Sequence, residues 1–184
     1  MNRRARTTSL VGVAVMLTVV SAVACGRPGS PPQSPPTQSS VADDATVPAP
    51  LAVPAGQRLI ASLNVDRGSQ VYTCARGGWT LKEPAAVLKS GSQEFLHTAG
   101  PQWISTDDGS AVTGAASATV SVPDAVPELL LKATAHRGTG LLGSVSYIQR
   151  LDTRGGVAPA GTCTDGALQA VGYSANYRFY APAS

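Results

Sequence analysis

Short runs of alternating apolar and polar residues fill the later part of the chain, and they constrain its fold more than any other feature. The clearest run spans residues 172–180, where Tyr173, Ala175, Tyr177 and Phe179 occupy every second position. Because successive side chains of a β-strand point to opposite faces, this run predicts a strand with one apolar face. Gly, Pro, Asp and Ser separate the runs, which is typical of turns between strands.

The same pattern predicts eight strands within residues 57–184 and almost no helix. The predicted strands are 58–65, 70–75, 94–98, 102–105, 111–122, 128–135, 142–151 and 172–180. A short helix is predicted only at residues 83–90, where Pro84 suits a first helical turn. This content predicts an all-β domain, either an antiparallel β-sandwich or a closed barrel.

The first 24 residues predict an export signal. Three arginines among the first six residues precede a charge-free, mostly apolar run that is short for a membrane span. The run ends in small residues followed by Cys25, as in a bacterial lipobox. We therefore expect residues 1–24 to be removed and Cys25 to be lipidated. An ordinary secretory signal, cut near Ala24, and an uncleaved anchor are the alternatives.

Residues 25–56 predict a tether between the lipid and the folded domain. They are rich in proline and contain few large apolar residues, so they cannot build a core. Proline favours an extended, stiff chain. We thus expect a disordered N-terminal signal and linker, then a domain at residues 57–184. The expected location is extracytoplasmic, on the bacterial cell membrane, with the membrane as partner through the N-terminal lipid.

The charge balance gives no evidence for an anionic partner. The whole chain has 14 basic and 11 acidic side chains, and three of the basic ones lie in the predicted signal. The remaining chain therefore has no net charge. This composition does not indicate nucleic-acid binding.

The remaining cysteines predict one disulfide. If Cys25 carries the lipid, Cys74 and Cys163 are left to pair in an oxidising compartment. A bond closing a loop of about 90 residues could stabilise the fold by about 2–4 kcal/mol.

The segment from His97 to Ser110 holds the densest group of polar residues. His97, Asp107 and Asp108 are weak candidates for acid–base catalysis, because imidazole and carboxylate groups transfer protons. The alternative is that the Asp-Gly sequence forms a hairpin turn and that Trp103 lies in the core. Neither histidine has the spacing of a metal ligand, so no metal and no cofactor are predicted.

Aromatic and charged side chains, in this segment and elsewhere, provide candidates for a binding pocket. The candidate ligand-binding residues are Tyr72, His97, Trp103, Tyr147 and Arg150. Arg150, Asp152 and Arg154 alternate along one predicted strand end, which favours a solvated salt-bridge ladder. The alternative is that these residues line a pocket for a charged ligand.

Several segments together form an ordered set. They are GSQVYTC at 68–74, Trp79 with EPA at 83–85, HTAGPQW at 97–103, DGS at 108–110, VPELLL at 126–131, VSYIQR at 145–150, TRGGVAP at 153–159 before Cys163, and YSANYRFY at 173–180. From about Gly56 to Tyr180 this set resembles the DUF3455 family, a domain of unknown function in exported bacterial and fungal proteins. The resemblance implies the extent of the domain and no particular activity.

These features favour a tethered, non-catalytic module that binds a small molecule, a glycan or an envelope component. A hydrolase using His97 with Asp107 or Asp108 is one alternative, and a purely structural envelope protein is another. No sequence motif of a hydrolase nucleophile or of phosphate binding is present in a suitable context. Fold class alone cannot choose among the three.

Overall fold

The structure is a computed structural model, and it describes residues 47–183. The predicted signal and most of the predicted linker lie outside these residues. The described part is all-β, with eight antiparallel strands and two short 3₁₀ helices, Ala49–Leu51 and Leu141–Ser144. The strands are β1 Gln57–Ala75, β2 Gly78–Ser90, β3 Gln93–Thr98, β4 Gln102–Ser105, β5 Ala111–Val120, β6 Glu128–Arg137, β7 Tyr147–Gly155 and β8 Leu168–Pro182.

The eight strands form one sheet that closes on itself. Each strand pairs with the next along the chain, and β8 pairs with β1, so the sheet is a barrel. This confirms the predicted all-β fold of eight strands and selects the closed form of the two predicted architectures. The upper end of the barrel is defined here as the end with the β1–β2 and β3–β4 turns. The β5–β6 and β7–β8 connections lie at the same end.

The barrel interior is filled by the inward faces of the strands. Tyr173, Ala175, Tyr177 and Phe179 of β8 are all buried, as their alternation predicts. Phe179 packs edge-on against Phe95 of β3 with 5.2 Å between ring centroids. Aromatic pairs of this kind add to the stabilisation that burial itself supplies.

Two predictions of strand and helix position are wrong. The predicted strands 58–65 and 70–75 are one strand, β1, which continues through a β-bulge between Val65 and Arg67. The predicted helix at 83–90 is part of β2, because this segment pairs with β1 and, from Ala86 onward, with β3. Pro84 lies where β2 has a neighbour on one side only, and proline is tolerated at such an edge.

The start of β7 also differs from the prediction. Residues 141–144, at the start of the predicted strand 142–151, form a 3₁₀ helix instead. Asp108 accepts a hydrogen bond from Leu141 N, and Ser110 Oγ accepts one from Leu142 N. These bonds satisfy backbone donors at the helix start and hold the turn against the β4–β5 connection.

The packed unit includes residues 47–53, which precede the predicted domain boundary at Gln57. Leu51 is fully buried against Leu130 and Leu151 on the outer face of the barrel. The Gln149 side chain donates a hydrogen bond to Leu51 O at 2.7 Å and accepts one from the Tyr180 hydroxyl at 2.9 Å. Residues 47–53 are therefore part of the folded domain, although their composition resembles that of the linker.

Replacing Gln149 with methionine is expected to lower the free energy of unfolding by about 2–4 kcal/mol. Methionine has a similar shape but leaves Leu51 O without its donor and the Tyr180 hydroxyl without this acceptor. Urea denaturation measures the change, and Gln169→Met on exposed β8 surface is the control, with an expected change within about 0.5 kcal/mol. Equal effects of the two substitutions would show that the N-terminal segment is not held in this way.

The disulfide between Cys74 and Cys163 is present, with Cα atoms 5.9 Å apart. This confirms the predicted pairing. It ties the long β7–β8 connection to the β1–β2 hairpin at the upper end of the barrel. Backbone bonds from Gly166 N to Cys74 O and from Cys163 N to Gly77 O reinforce the same junction.

Candidate functional site

The upper end of the barrel has a gap in its wall. Strands β3 and β4 have only 6 and 4 residues, whereas their neighbours β2 and β5 have 13 and 10. β2 pairs with β3 only from Ala86 onward, and β5 pairs with β4 only as far as Thr113. The upper parts of β2 and β5 therefore border the gap, and the β3–β4 turn at Gly100 and Pro101 forms its lower edge.

A cavity of about 340 Å³ enters the barrel through this gap. We call it the mouth cavity. Its buried floor consists of Gln70, His97, Leu131 and Arg150. Its walls are Pro84, Gly100, Pro101 and Leu129, and its rim is Leu81, Lys82, Glu83 and Ala116. The floor carries polar and charged groups, whereas most of the wall is apolar, as is usual for a small-molecule site.

Arg150 places a positive charge at the floor of the cavity. The residue is 9% exposed, and its Nε and Nη2 atoms donate to Pro127 O at 3.0 and 2.8 Å. The ion pairs within residues 47–183 join Asp66 or Glu94 to Arg67 or Lys89, and none of them involves Arg150. The guanidinium is thus held by a neutral carbonyl and has no carboxylate partner in the described chain.

Three tyrosines surround this guanidinium and remain protonated. Burial raises the pKa values of Tyr72, Tyr173 and Tyr177, while the charge of Arg150 acts in the opposite direction on each. The Tyr72 hydroxyl donates to Gly156 O at 2.6 Å, and the Tyr173 and Tyr177 hydroxyls are 3.3 Å apart. The tyrosines therefore provide hydroxyl groups but no negative charge to balance Arg150.

Gln70 supplies an unpartnered polar group at the floor. Its side chain is 1% exposed, and its Nε2 atom has no hydrogen-bond partner among the described residues. A buried amide without a partner is costly, and such groups are rare in folded proteins. Gln70 was not among the residues predicted from the sequence. It lies with Tyr72 and Cys74 on the inward face of β1, where every second residue is buried.

His97 contributes a neutral ring. Its Nδ1 atom donates to Gln102 O at 3.0 Å, since a carbonyl oxygen can only accept, and the ring stacks on Trp103 with centroids 4.5 Å apart. The pKa of His97 is lowered to about 4: burial lowers it most, the hydrogen bond to Gln102 O partly raises it, and the charge of Arg150 lowers it. His97 is therefore uncharged near neutral pH, and its Nε2 atom is an acceptor.

The lowered pKa of His97 predicts a pH-dependent stability. In the unfolded chain the ring titrates near pH 6.5, and in the folded state near pH 4. The unfolded state therefore binds the proton first, and stability present above pH 6.5 is lost as the pH falls toward 4. We expect this residue to account for a loss of about 3 kcal/mol in the free energy of unfolding across that range.

Urea denaturation at several pH values measures this loss. Subtracting the profile of His97→Gln from that of the wild type should isolate the effect of His97 from the protonation of carboxylates. His136→Gln, which replaces the exposed histidine, serves as the control substitution. A His97→Gln profile parallel to the wild type would contradict the prediction.

The predicted acid–base pair does not form. His97 pairs in the sheet with Trp103 near the start of β4, whereas Asp107 and Asp108 follow the end of that strand. Asp108 accepts from Ser110 N at 2.8 Å and from Ser110 Oγ at 2.6 Å, in addition to Leu141 N. These hydrogen bonds lower its pKa to about 2. Asp108 therefore stabilises a turn, and Asp107 is exposed beside it.

The other predicted ligand-binding residues occupy different environments. Trp103 is 1% exposed and lies beneath His97 in the core, and its Nε1 atom has no partner within the described chain. Tyr72 is buried inside the barrel near Arg150 but does not line the mouth cavity. Tyr147 packs on the outer face against the cluster of Leu51 and its neighbours. Only His97 and Arg150 of the five candidates line the cavity.

The predicted salt-bridge ladder of Arg150, Asp152 and Arg154 is wrong. Asp152 has a positive φ of 53°, and the pairing of β7 with β8 shifts between Leu151 and Arg154. This irregularity breaks the alternation on which the prediction rested. Arg150 points into the barrel, whereas Arg154 is exposed.

A second cavity, of about 410 Å³, lies between the N-terminal segment and the outer face of the barrel. Its lining includes Val53, Gln57 and Gln149. Both ends of the Gln149 amide are already hydrogen-bonded to protein groups, and no described residue of this lining has a buried side-chain N or O atom that lacks a partner.

Residues 47–183 contain no group of three or more His, Cys, Asp or Glu side chains arranged to hold a metal ion. No helix in this range has the length and apolar character needed to cross a membrane.

Comparison with known proteins gives one match. The family model described as "Protein of unknown function (DUF3455)" matches residues 82–181, from β2 to β8. This confirms the resemblance seen in the sequence motifs. No curated protein and no solved structure matches the chain.

Proposed function

The chain belongs to the DUF3455 family, whose function is unknown, and we propose that it is a lipid-anchored extracytoplasmic protein whose barrel binds a small ligand in the mouth cavity without catalysis. One observation carries the proposal. The floor of an open cavity holds a buried guanidinium that has no carboxylate partner within residues 47–183, and a buried amide nitrogen that has no hydrogen-bond partner there.

The energetic cost of these groups supports a binding role. An isolated buried charge and an unsatisfied buried amide both oppose folding, and apolar residues of similar volume would avoid that cost. Arg150 and Gln70 lie on different strands, β7 and β1, yet both line the same cavity. A ligand that pairs with both would offset the cost, whereas a purely structural barrel gains nothing from them.

The chemistry of the site favours binding over catalysis. A general base for hydrolysis needs a pKa near the working pH and a position beside the reacting group. His97 has a pKa of about 4, and its Nδ1 atom is engaged with a backbone carbonyl. The hydrolase hypothesis also needs Asp107 or Asp108 beside His97, but both residues lie beyond the other end of β4. The residues that line the cavity can orient a ligand but supply no activated nucleophile.

The N-terminal sequence supports the anchor. Small residues precede Cys25 after an apolar run with a basic head, and the proline-rich stretch that follows can separate the barrel from the membrane. A disulfide between the two remaining cysteines fits an oxidising compartment. The membrane is thus the proposed partner through the lipid on Cys25.

The ligand-binding proposal is tested by a thermal-shift screen of the full chain in mild detergent against small acids, amides, sugars and amines. Any compound that binds the folded state raises the melting temperature, by an amount that grows with the logarithm of the ratio of its concentration to its dissociation constant. We expect at least one class to raise it, and Leu131→Phe, which fills the cavity floor, to remove the shift. If no class raises it, the barrel is a structural envelope protein and the proposal fails.

The anchor is tested separately in a bacterial host. We expect the full chain to fractionate with membranes and to incorporate labelled fatty acid, and Cys25→Ser to abolish both. Cys163→Ser is the matched control and should still be lipidated. Release of the wild-type chain into the soluble exported fraction would instead support the secretory alternative.

A further inference from the structure

We infer that the ligand of the mouth cavity is a small amphipathic carboxylic acid, bound as its carboxylate by Arg150 and Gln70 with its apolar body against Leu129 and Leu131. This inference rests on the proposed function and names the class of ligand. Four features of the cavity carry it: charge, hydrogen-bond donors, shape and the lack of a phosphate-binding element.

The charge of the floor requires an anion. Arg150 is buried and positive, and the tyrosines and His97 around it are neutral. Of the acidic side chains near this end of the barrel, Glu128 accepts a hydrogen bond from Asp152 N at 2.7 Å, and Glu83 lies on the half-exposed rim. Neither forms an ion pair with Arg150. A ligand carboxylate would supply the missing negative charge inside the cavity.

The free donors suit two carboxylate oxygens. A guanidinium has five N–H groups. Two of these donate to Pro127 O. Donors therefore remain, and the unpartnered Nε2 of Gln70 adds a second donor group on the same floor. Planar guanidinium groups bind carboxylates through paired, charge-assisted bonds.

The cavity lacks the usual elements of a phosphate site. Phosphate groups commonly bind helix N-termini or several backbone N–H groups. Within residues 47–183 there is no α-helix, and the second cation of the lining, Lys82, is exposed on the rim. One buried guanidinium matches a single negative charge.

The size and lining of the cavity define the rest of the ligand. About 340 Å³ is near the lower limit for small-molecule sites. Above the polar floor, the walls present Pro84, Pro101 and Leu129. A short aliphatic or single-ring acid fits a cavity with a polar floor and apolar walls, because its apolar part would contact the walls while its carboxylate reaches the floor.

The test compares matched acids and amides on the full chain in mild detergent. The probes are hexanoate with hexanamide, benzoate with benzamide, and phenyl phosphate. Titration calorimetry gives the affinities, and the fluorescence of Trp103 in a Trp79→Phe variant reports binding beside the floor. We expect each carboxylate to bind at least about 10-fold more tightly than its amide, because only the carboxylate pairs with the buried charge.

Two substitutions test the assigned residues. Arg150→Met should weaken carboxylate binding by about 100-fold, since it removes the buried charge. Arg154→Met, an exposed change on the same strand, should leave the affinity unchanged. Gln70→Met should weaken binding about 10-fold while raising the melting temperature of the free protein, because it removes an unsatisfied donor. This second variant keeps the test valid if Arg150→Met does not fold.

Each outcome distinguishes the inference from the proposed function. If amides bind as tightly as acids, or if phenyl phosphate binds best, the carboxylate assignment is overturned while the mouth cavity remains a binding site. If carboxylates bind to Gln70→Met and to Arg150→Met as tightly as they bind to the wild type, the assigned residues are wrong. If no probe binds and the broader screen is also negative, both the inference and the proposed function fail.

Discussion

Replacing Trp103 with alanine is expected to lower the free energy of unfolding by about 3–5 kcal/mol. The indole stacks on His97 and meets Tyr177 and Phe179 edge-on, with ring centroids 5.7 and 5.9 Å away. Gly114 packs beside the ring, since a Cβ there would lie 3.4 Å from the indole. Removing the ring would open a cavity that these neighbours cannot fill. Urea denaturation of the full chain measures the change.

Trp79→Ala is the matched control for this prediction. Trp79 is half-buried near the β1–β2 hairpin, so its loss should cost about 1 kcal/mol. The comparison also decides between two roles for Trp103. If Trp103→Ala retained wild-type stability and lost only ligand binding, the indole would be a ligand-binding group, as the sequence predicted, and its core role would be wrong.

Removing the disulfide is the second change with a large expected effect. The double variant Cys74→Ala/Cys163→Ala should lose about 2–5 kcal/mol of unfolding free energy. The bond joins residues 89 positions apart, so it restricts the unfolded chain strongly. It also holds the β7–β8 connection against the β1–β2 hairpin at the upper end of the barrel. Urea denaturation under non-reducing conditions measures the loss.

A reductant provides the control for the disulfide prediction. Reduction should destabilise the wild-type chain to about the level of the double variant and should leave the double variant unchanged. The backbone bonds of Cys74 to Ala167 and Gly166 remain in both cases. If the double variant proved as stable as the wild type, these backbone bonds alone would hold the junction and the stabilising role of the disulfide would be refuted.

Local patterns predicted the parts of the fold that depend on local information. The alternation of β8 identifies its buried face, because side-chain direction in a strand follows sequence position. The pairing of Cys74 with Cys163 follows from the number of cysteines and the expected compartment. Both predictions are confirmed.

The parts that depend on distant partners were missed. The segment from Pro84 to Ser90 contains residues that suit a short helix, but pairing with β1 and β3 makes it a strand. Residues 47–53 look like linker by composition, yet Leu51 finds an apolar site between β6 and β7 on the outer face. The local sequence shows neither the strands that pair with residues 84–90 nor the apolar site that holds Leu51.

The candidate site was predicted only in part for the same reason. His97 and Arg150 stood out by residue type, but the ladder hypothesis oriented Arg150 toward solvent because it assumed an unbroken strand. Gln70 and Leu129 carry no chemical signal in a single sequence. Their meeting at the mouth cavity depends on the strand pairing and on the shortness of β3 and β4.

The most direct test of a binding site at the mouth cavity is NMR chemical-shift mapping. The isotope-labelled full chain in mild detergent is titrated with the tightest-binding compound from the screen. The largest shifts are predicted at the backbone amides of Gly100, Ala116, Leu129 and Leu131, which surround the cavity. Shifts concentrated at residues 52–57, beside the second cavity, or spread evenly over the outer surface would contradict the account.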